Sequence, residues 1–211
     1  MPSLQLNLTK PGDTAPKLSL NLSKGERFKV RLTWDGETDL DLHALVAINT
    51  GAGAKVSSFE DILSPYNVQR VVRGQATGTL PLAADKTFSV HNGAVIHSPD
   101  ATDGFKDGDD EWVSIRPDSL TPPAVGAIEI PLVAMIHPQS AGKKFHDVKN
   151  ARVAIENAAG QELLNVSLSN QFGEFMGVQM GSIMIDATGS SFVAVGVGFN
   201  TDFNQVLAHF S

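Results

Sequence analysis

Between Asp100 and Glu111 the chain reads Asp-Ala-Thr-Asp-Gly-Phe-Lys-Asp-Gly-Asp-Asp-Glu, which sets four carboxylates into the last five positions. Charges of one sign this close raise one another's pKa unless water, a basic partner or a cation compensates them. A hard divalent cation suits such a stretch. Calcium takes roughly six to eight oxygens from carboxylates, carbonyls and waters, in irregular geometry. Gly104 and Gly108 are placed to let the backbone turn and aim successive oxygens inward. A solvated acidic loop has the same composition, so density alone leaves both readings open. The spacing is not that of a helix-loop-helix calcium hand: Asp107, Asp109 and Glu111 alternate suitably, but Trp112 stands where the required glycine belongs.

A second acidic group, Asp35, Glu37, Asp39 and Asp41, precedes an apolar run. On a strand, Asp39 and Asp41 point to one face, as ligands or as a solvated strand end. Two separated acidic elements that converge would make a cage. Six histidines offer a rival chemistry, and His91 and His97, which flank Asn92 and lie near the acidic run, could join carboxylates around zinc or iron in a metal-dependent hydrolase. The usual frameworks are missing, however: there is no His-Glu-x-x-His, no Gly-x-Ser-x-Gly and no phosphate-cradling glycine loop. The expectation is a protein that is not an enzyme. A third reading is a structural or assembly module in which a bound ion ties loops together.

The chain has 211 residues, 42% of them hydrophobic and 18% charged, which suits one core of ordinary globular composition. Its 23 acidic and 16 basic residues give a formal charge of -7, which argues against nucleic acid as a partner. No apolar run reaches the roughly 20 residues of a membrane span, and the first residues lack a basic-then-apolar secretory pattern, so a cytoplasmic location is expected. The absence of cysteine excludes disulfides, zinc-thiolate sites and thiol nucleophiles. It also argues against direct reduction of an oxyanion, which needs a thiol or a redox cofactor.

The positioning elements read as strands. Leu4-Gln-Leu-Asn-Leu-Thr-Lys and Leu18-Ser-Leu-Asn-Leu-Ser-Lys form a near repeat of two alternating segments, joined through a turn at Pro11-Gly12-Asp13. Arg27 to Trp34 alternates most clearly, with Phe28, Val30, Leu32 and Trp34 on one face. Leu40 to Ile48 reads as a buried strand, which periodicity alone does not separate from a short helix, and further strands are expected over 87–91, 112–115, 127–136, 151–156, 162–168, 181–185 and 192–198. Short helical turns are expected at 145–150 and, capped by Asp202, at 203–210. Short strands punctuated by Gly, Pro, Asn and Asp predict an all-β fold, a sandwich or a barrel with one to three short helices, in a single domain over 1–211. Residues 50–86 read as an insertion, with Ile62, Leu63, Val68, Val71, Val72, Leu80 and Leu82 available to pack it down.

The run Val95-Ile-His-Ser-Pro-Asp-Ala-Thr-Asp-Gly-Phe-Lys-Asp-Gly-Asp-Asp-Glu111 closely resembles the acidic motif of TerD-like tellurium-resistance proteins. Trp34-Asp35 with Asp39-Leu40-Asp41, the strand ending Phe88 to Asn92, Ile136-His137, Phe145-x-x-Val148-x-Asn150-Ala151 and the closing Phe192 to Gly198 fall in the same order as that family's motifs, so the resemblance covers most of Leu18 to Phe210. It implies a calcium-binding β-sandwich of two mostly antiparallel sheets, associated with tellurite resistance and stress responses. Carried over by position, it implies Asp39, Asp41, Asn92, Asp100, Asp107, Asp109, Asp110 and Glu111 as ligands, with Asp110 able to point away. Glu37-Thr38, Pro99 and Phe105-Lys106 depart from the family pattern, and the gain of Lys106 weighs against a second calcium. The 50–86 insertion exceeds the family's short turn and implies a surface for a protein partner.

Overall fold

The computed structural model describes residues 4–5, 19–22, 26–140 and 142–211. In chain order the strands are β1 (Leu4–Gln5), β2 (Ser19–Leu22), β3 (Phe28–Asp35), β4 (Leu40–Leu45), β5 (Ala47–Asn49), β6 (Ala54–Lys55), β7 (Ile62–Leu63), β8 (Arg70–Val72), β9 (Gln75–Thr77), β10 (Phe88–Val90), β11 (Val95–His97), β12 (Glu111–Ile115), β13 (Ala127–Ile136), β14 (Lys149–Glu156), β15 (Glu162–Ser167), β16 (Gly177–Asp186) and β17 (Gly189–Phe199). Two short α-helices, α1 (Leu168–Gln171) and α2 (Phe203–Ala208), and several 3-10 turns complete the described residues. The fold is mainly β, as expected.

Two large sheets stack on each other. The first runs β1-β15-β14-β3-β12-β11-β10; the second runs β2-β17-β16-β13-β4-β7, with β5 and β6 extending it beside β13. All pairings are antiparallel except β1 with β15. The near repeat at the amino terminus is split between them, since β1 borders the first sheet and β2 the second. The intervening Pro11-Gly12-Asp13 turn lies outside the described residues. Phe28, Val30, Leu32 and Trp34 of β3 face Leu40, Leu42 and Ala44 of β4 across the core. The chain therefore crosses from one sheet to the other between Asp35 and Leu40.

Sequence periodicity missed several pieces. The expected strand from Leu40 to Ile48 is two strands, interrupted at Val46, whose N–H turns to Asp61 O at 2.8 Å. β11 was hidden inside the acidic motif, and α1 had no signal. Residues 50–86 only partly pack: Ile62, Leu63, Val68 and Leu80 are buried, whereas Val71, Val72 and Leu82 are exposed on or beside the β8–β9 hairpin. Among the described residues that hairpin pairs only with itself, so its valines meet no facing strand there.

Candidate metal centre

The site lies where β4 becomes the edge of its sheet. β7 pairs with β4 only at Ala44 and Leu45, because Pro65 has no N–H to continue the ladder and Ser64 instead caps a 3-10 turn over Pro65–Asn67, accepting from Tyr66 N at 3.1 Å. Leu42 is left with its N–H and C=O facing away from β13. Two side chains from the opposite sheet take them up: Glu111 Oε2 accepts from Leu42 N at 2.7 Å, and His97 Nε2 lies 2.8 Å from Leu42 O. An unpaired strand edge in the interior costs free energy comparable to a lost hydrogen bond, so these contacts hold the two sheets in register here.

Around this edge Asp41, Asp100 and Glu111 bring carboxylate oxygens within 4.8 Å of one another. Asp41 and Glu111 are buried and Asp100 is exposed, which leaves the group one open side. Burial first, and then the neighbouring charge of Asp41, pushes the Glu111 carboxyl well above its ordinary pKa; Asp41 is raised likewise by burial, despite the hydrogen bond it accepts from Tyr66. Glu111 Oε1 also accepts from Ala101 N at 3.3 Å. Asp39 sits beside the group, its carboxyl raised by burial and by Asp100, with Oδ2 3.6 Å from His137 Nδ1. Asp41 Oδ1 and Asp39 Oδ1 are buried and accept no hydrogen bond. Buried carboxylate oxygens without a donor are the arrangement a cation resolves, so the donor set fits a hard, oxygen-seeking ion such as calcium.

The remaining acids expected as ligands lie elsewhere. Asp109 turns to the outer face of the first sheet, where it pairs with Lys29 and Arg31. Asp110 Oδ2 accepts from Trp34 N at 2.9 Å and faces Asp35 and Asp103. Asp107 is exposed in an open depression of about 680 Å³ shared with Asp35, Lys106, Lys143 and Lys149. Asn92 occupies the turn between β10 and β11 in a left-handed conformation, φ 53°, at the opposite end of that hairpin from the acidic loop. Gly104 serves a close approach: Gly36 and Gly104 exchange backbone hydrogen bonds of 3.2 and 2.8 Å, and a Cβ on Gly104 would stand 2.4 Å from Trp34 O. Gly108, at φ 104°, turns the backbone, but the neighbouring Asp107 and Asp109 carboxylates are not aimed inward as expected.

Neither histidine of the hydrolase reading is free. His91 Nε2 contacts Asp61 at 2.9 Å, and the buried His97 has both nitrogens against carbonyls, Nε2 on Leu42 and Nδ1 on Ser98 at 2.8 Å. Two carbonyls favour the doubly protonated ring, but burial is the larger influence and holds the His97 pKa below its ordinary value. A residue that sequence reasoning passed over is Tyr66, whose hydroxyl donates to Asp41 Oδ2. Nothing in its sequence surroundings marks it.

Residues 86–210, more than half of the chain, match the family model described as the TerD domain. The chain belongs to the TerD family. Tellurium resistance protein TerZ of Serratia marcescens is 32% identical over 104 residues, which cover 49% of this chain and 50% of that protein. The match thus spans about half the length of this relative. Two solved structures share the fold: a homologue of telluride resistance protein (TerD) from Streptomyces coelicolor A3(2), with TM-score 0.63 and 18% identity over 86% of this chain and 95% of that one, and a protein of unknown function, with TM-score 0.65 and 16% identity over 88% and 96%. Of the acidic group, Asp100 and Glu111 fall within the TerD-domain match, whereas Asp39, Asp41 and Tyr66 precede it. Among the described residues no helix is long and apolar enough to cross a membrane.

Proposed function

We propose that this TerD-family chain is a calcium-responsive binding or scaffolding module of the tellurium-resistance and stress-response type, acting without catalysis. The observation that carries the reading is the convergence of Asp41 from one sheet with Glu111 from the other and Asp100 from the loop between β11 and β12, with Asp41 Oδ1 buried and unpartnered. A bound calcium would supply positive charge among these oxygens and link the β4 edge to the acidic loop. Asp41, Asp100 and Glu111 would hold it, with Asp39 close by. Protection against tellurite would then be indirect, since the chain has no cysteine to reduce it. Isothermal titration of metal-stripped protein with calcium, magnesium and zinc tests the reading. Calcium is expected to bind more tightly than magnesium, which demands a tighter octahedron and keeps its waters; no heat with calcium would overturn it.

A further inference from the structure

Tyr66 is the chain's single tyrosine, and it comes from the 50–86 segment, outside the residues that match the TerD domain. Its position is over-determined. Ser64 Oγ accepts from Tyr66 N at 3.1 Å, and Asn67 Nδ2 donates to Phe59 O at 2.6 Å and Ile62 O at 2.9 Å, which ties the 3-10 turn to the preceding chain. The ring then stands among His43, His137 and Phe203, with centroids at 5.1, 5.4 and 5.5 Å. Held this way, the hydroxyl meets Asp41 Oδ2 and leaves Oδ1, buried and without a partner, as the Asp41 oxygen available to an ion.

The geometry points to Tyr66 as a positioning residue of the cation site: its hydrogen bond fixes the Asp41 carboxylate in the orientation a divalent cation needs, so the segment outside the TerD-domain match sets how tightly the site holds that cation. This rests on the calcium reading above. Hydrogen-bond partners of ligating groups orient them and raise their basicity, and losing one typically weakens metal binding about 10- to 100-fold.

The test compares metal-stripped wild type and Tyr66→Phe by calorimetric titration with calcium chloride. Phenylalanine keeps the ring among His43, His137 and Phe203 and removes only the donor. The expected result is one calcium site in both proteins, weaker by about 10- to 100-fold in the variant. As a readout that packing alone would not move, calcium should perturb the near-ultraviolet tyrosine band of the wild type along the same saturation curve. If wild type binds no calcium, the site itself fails and this inference falls with it. If wild type binds and Tyr66→Phe matches its affinity, the site stands and the role of Tyr66 is overturned. Should the variant not fold, the tyrosine band decides: a saturating change supports the inference, and a silent band during demonstrated binding overturns it.

Discussion

Two acidic regions of this molecule differ in how their charge is compensated. The run Asp107–Glu111 is the densest in the sequence, yet its members disperse: Asp107 to solvent, Asp109 to Lys29 and Arg31, Asp110 to the Trp34 amide, and only Glu111 into the space between the sheets. The group formed by Asp41, Asp100 and Glu111 draws single residues from three elements spread over 70 positions of chain, and among the described residues none of the three forms a salt bridge with lysine or arginine, Arg70 acting on Asp41 only from a distance. A strand alternates its side chains, so consecutive acids at a strand entrance must diverge. Convergence, rather than density, makes a coordination site.

The sharpest way to break this comparison is substitution. Asp41→Asn or Glu111→Gln should weaken calcium binding by about two orders of magnitude or more, within the range over which ligand charge and rigidity tune such sites. Asp107→Asn, by contrast, should leave it nearly unchanged. Calorimetric titration of the three variants decides, and loss of binding in Asp107→Asn alone would move the site back to the exposed loop. Without metal, and at a pH above the raised Asp41 pKa, Asp41→Asn should be at least as stable as wild type, because it removes a buried charge while Tyr66 retains an oxygen to donate to.

The next effect is on stability. If calcium binds only the native state, a free concentration about a hundred times its Kd adds roughly 2.7 kcal/mol. For a chain of this size that is a rise in Tm of roughly 5 to 10 °C. Differential scanning calorimetry with calcium, then with magnesium, checks it. Equal shifts from the two ions would argue against the irregular, oxygen-rich set that Asp41, Asp100 and Glu111 provide.

A smaller effect is the pH dependence of that rise. Folding raises the carboxyl pKa values of Asp41 and Glu111, so their contribution to stability is full below the ordinary carboxylate range and is lost as pH rises through the raised values. Calcium replaces the protons that these groups otherwise retain. The difference in Tm with and without calcium should therefore widen from about pH 5 to pH 8. A difference constant across that range would mean that the ion binds where no carboxyl is raised.

Much of the scaffold was legible because alternation reports burial directly. Phe28 to Trp34 and Ala127 to Ile136 have no competing pattern, and they emerged as strands within a residue of the expected bounds. The site was half legible. Asp39, Asp41, Asp100 and Glu111 were all named as candidates, but sequence could not rank them above Asp107 or Asp109, because the choice depends on which sheet each strand joins. Asn92 was named through family resemblance, and its hairpin places it at the far end of β10 and β11. Tyr66 was invisible for a related reason: its reach to Asp41 depends on where β7 stops and on a capped turn, and neither leaves a periodic trace.

The smallest effect concerns Asp109, on the other side of the comparison. Its carboxylate is shared by Lys29 and Arg31, and Arg31 also pairs with Glu156, so the group forms a short charged ladder on the outer face of the first sheet. The side chains are 37% exposed for Lys29, 24% for Arg31 and 16% for Asp109, enough water to screen most of the attraction. Partly exposed pairs of this kind contribute about 1 kcal/mol or less. Asp109→Asn should accordingly lower Tm by no more than roughly 2 to 4 °C, with the loss shrinking in high salt, while calcium affinity stays within about twofold of wild type, because Lys29 and Arg31 already compensate the Asp109 charge on the outer face of the sheet. Replacing both Lys29 and Asp109 with uncharged residues should cost little more than Asp109→Asn alone, since losing Asp109 already removes the Lys29 pair. A calcium affinity that collapses in Asp109→Asn would show that the loop rebuilds itself around the ion and turns this carboxylate inward, and the distinction between the two acidic regions would then hold only for the metal-free protein.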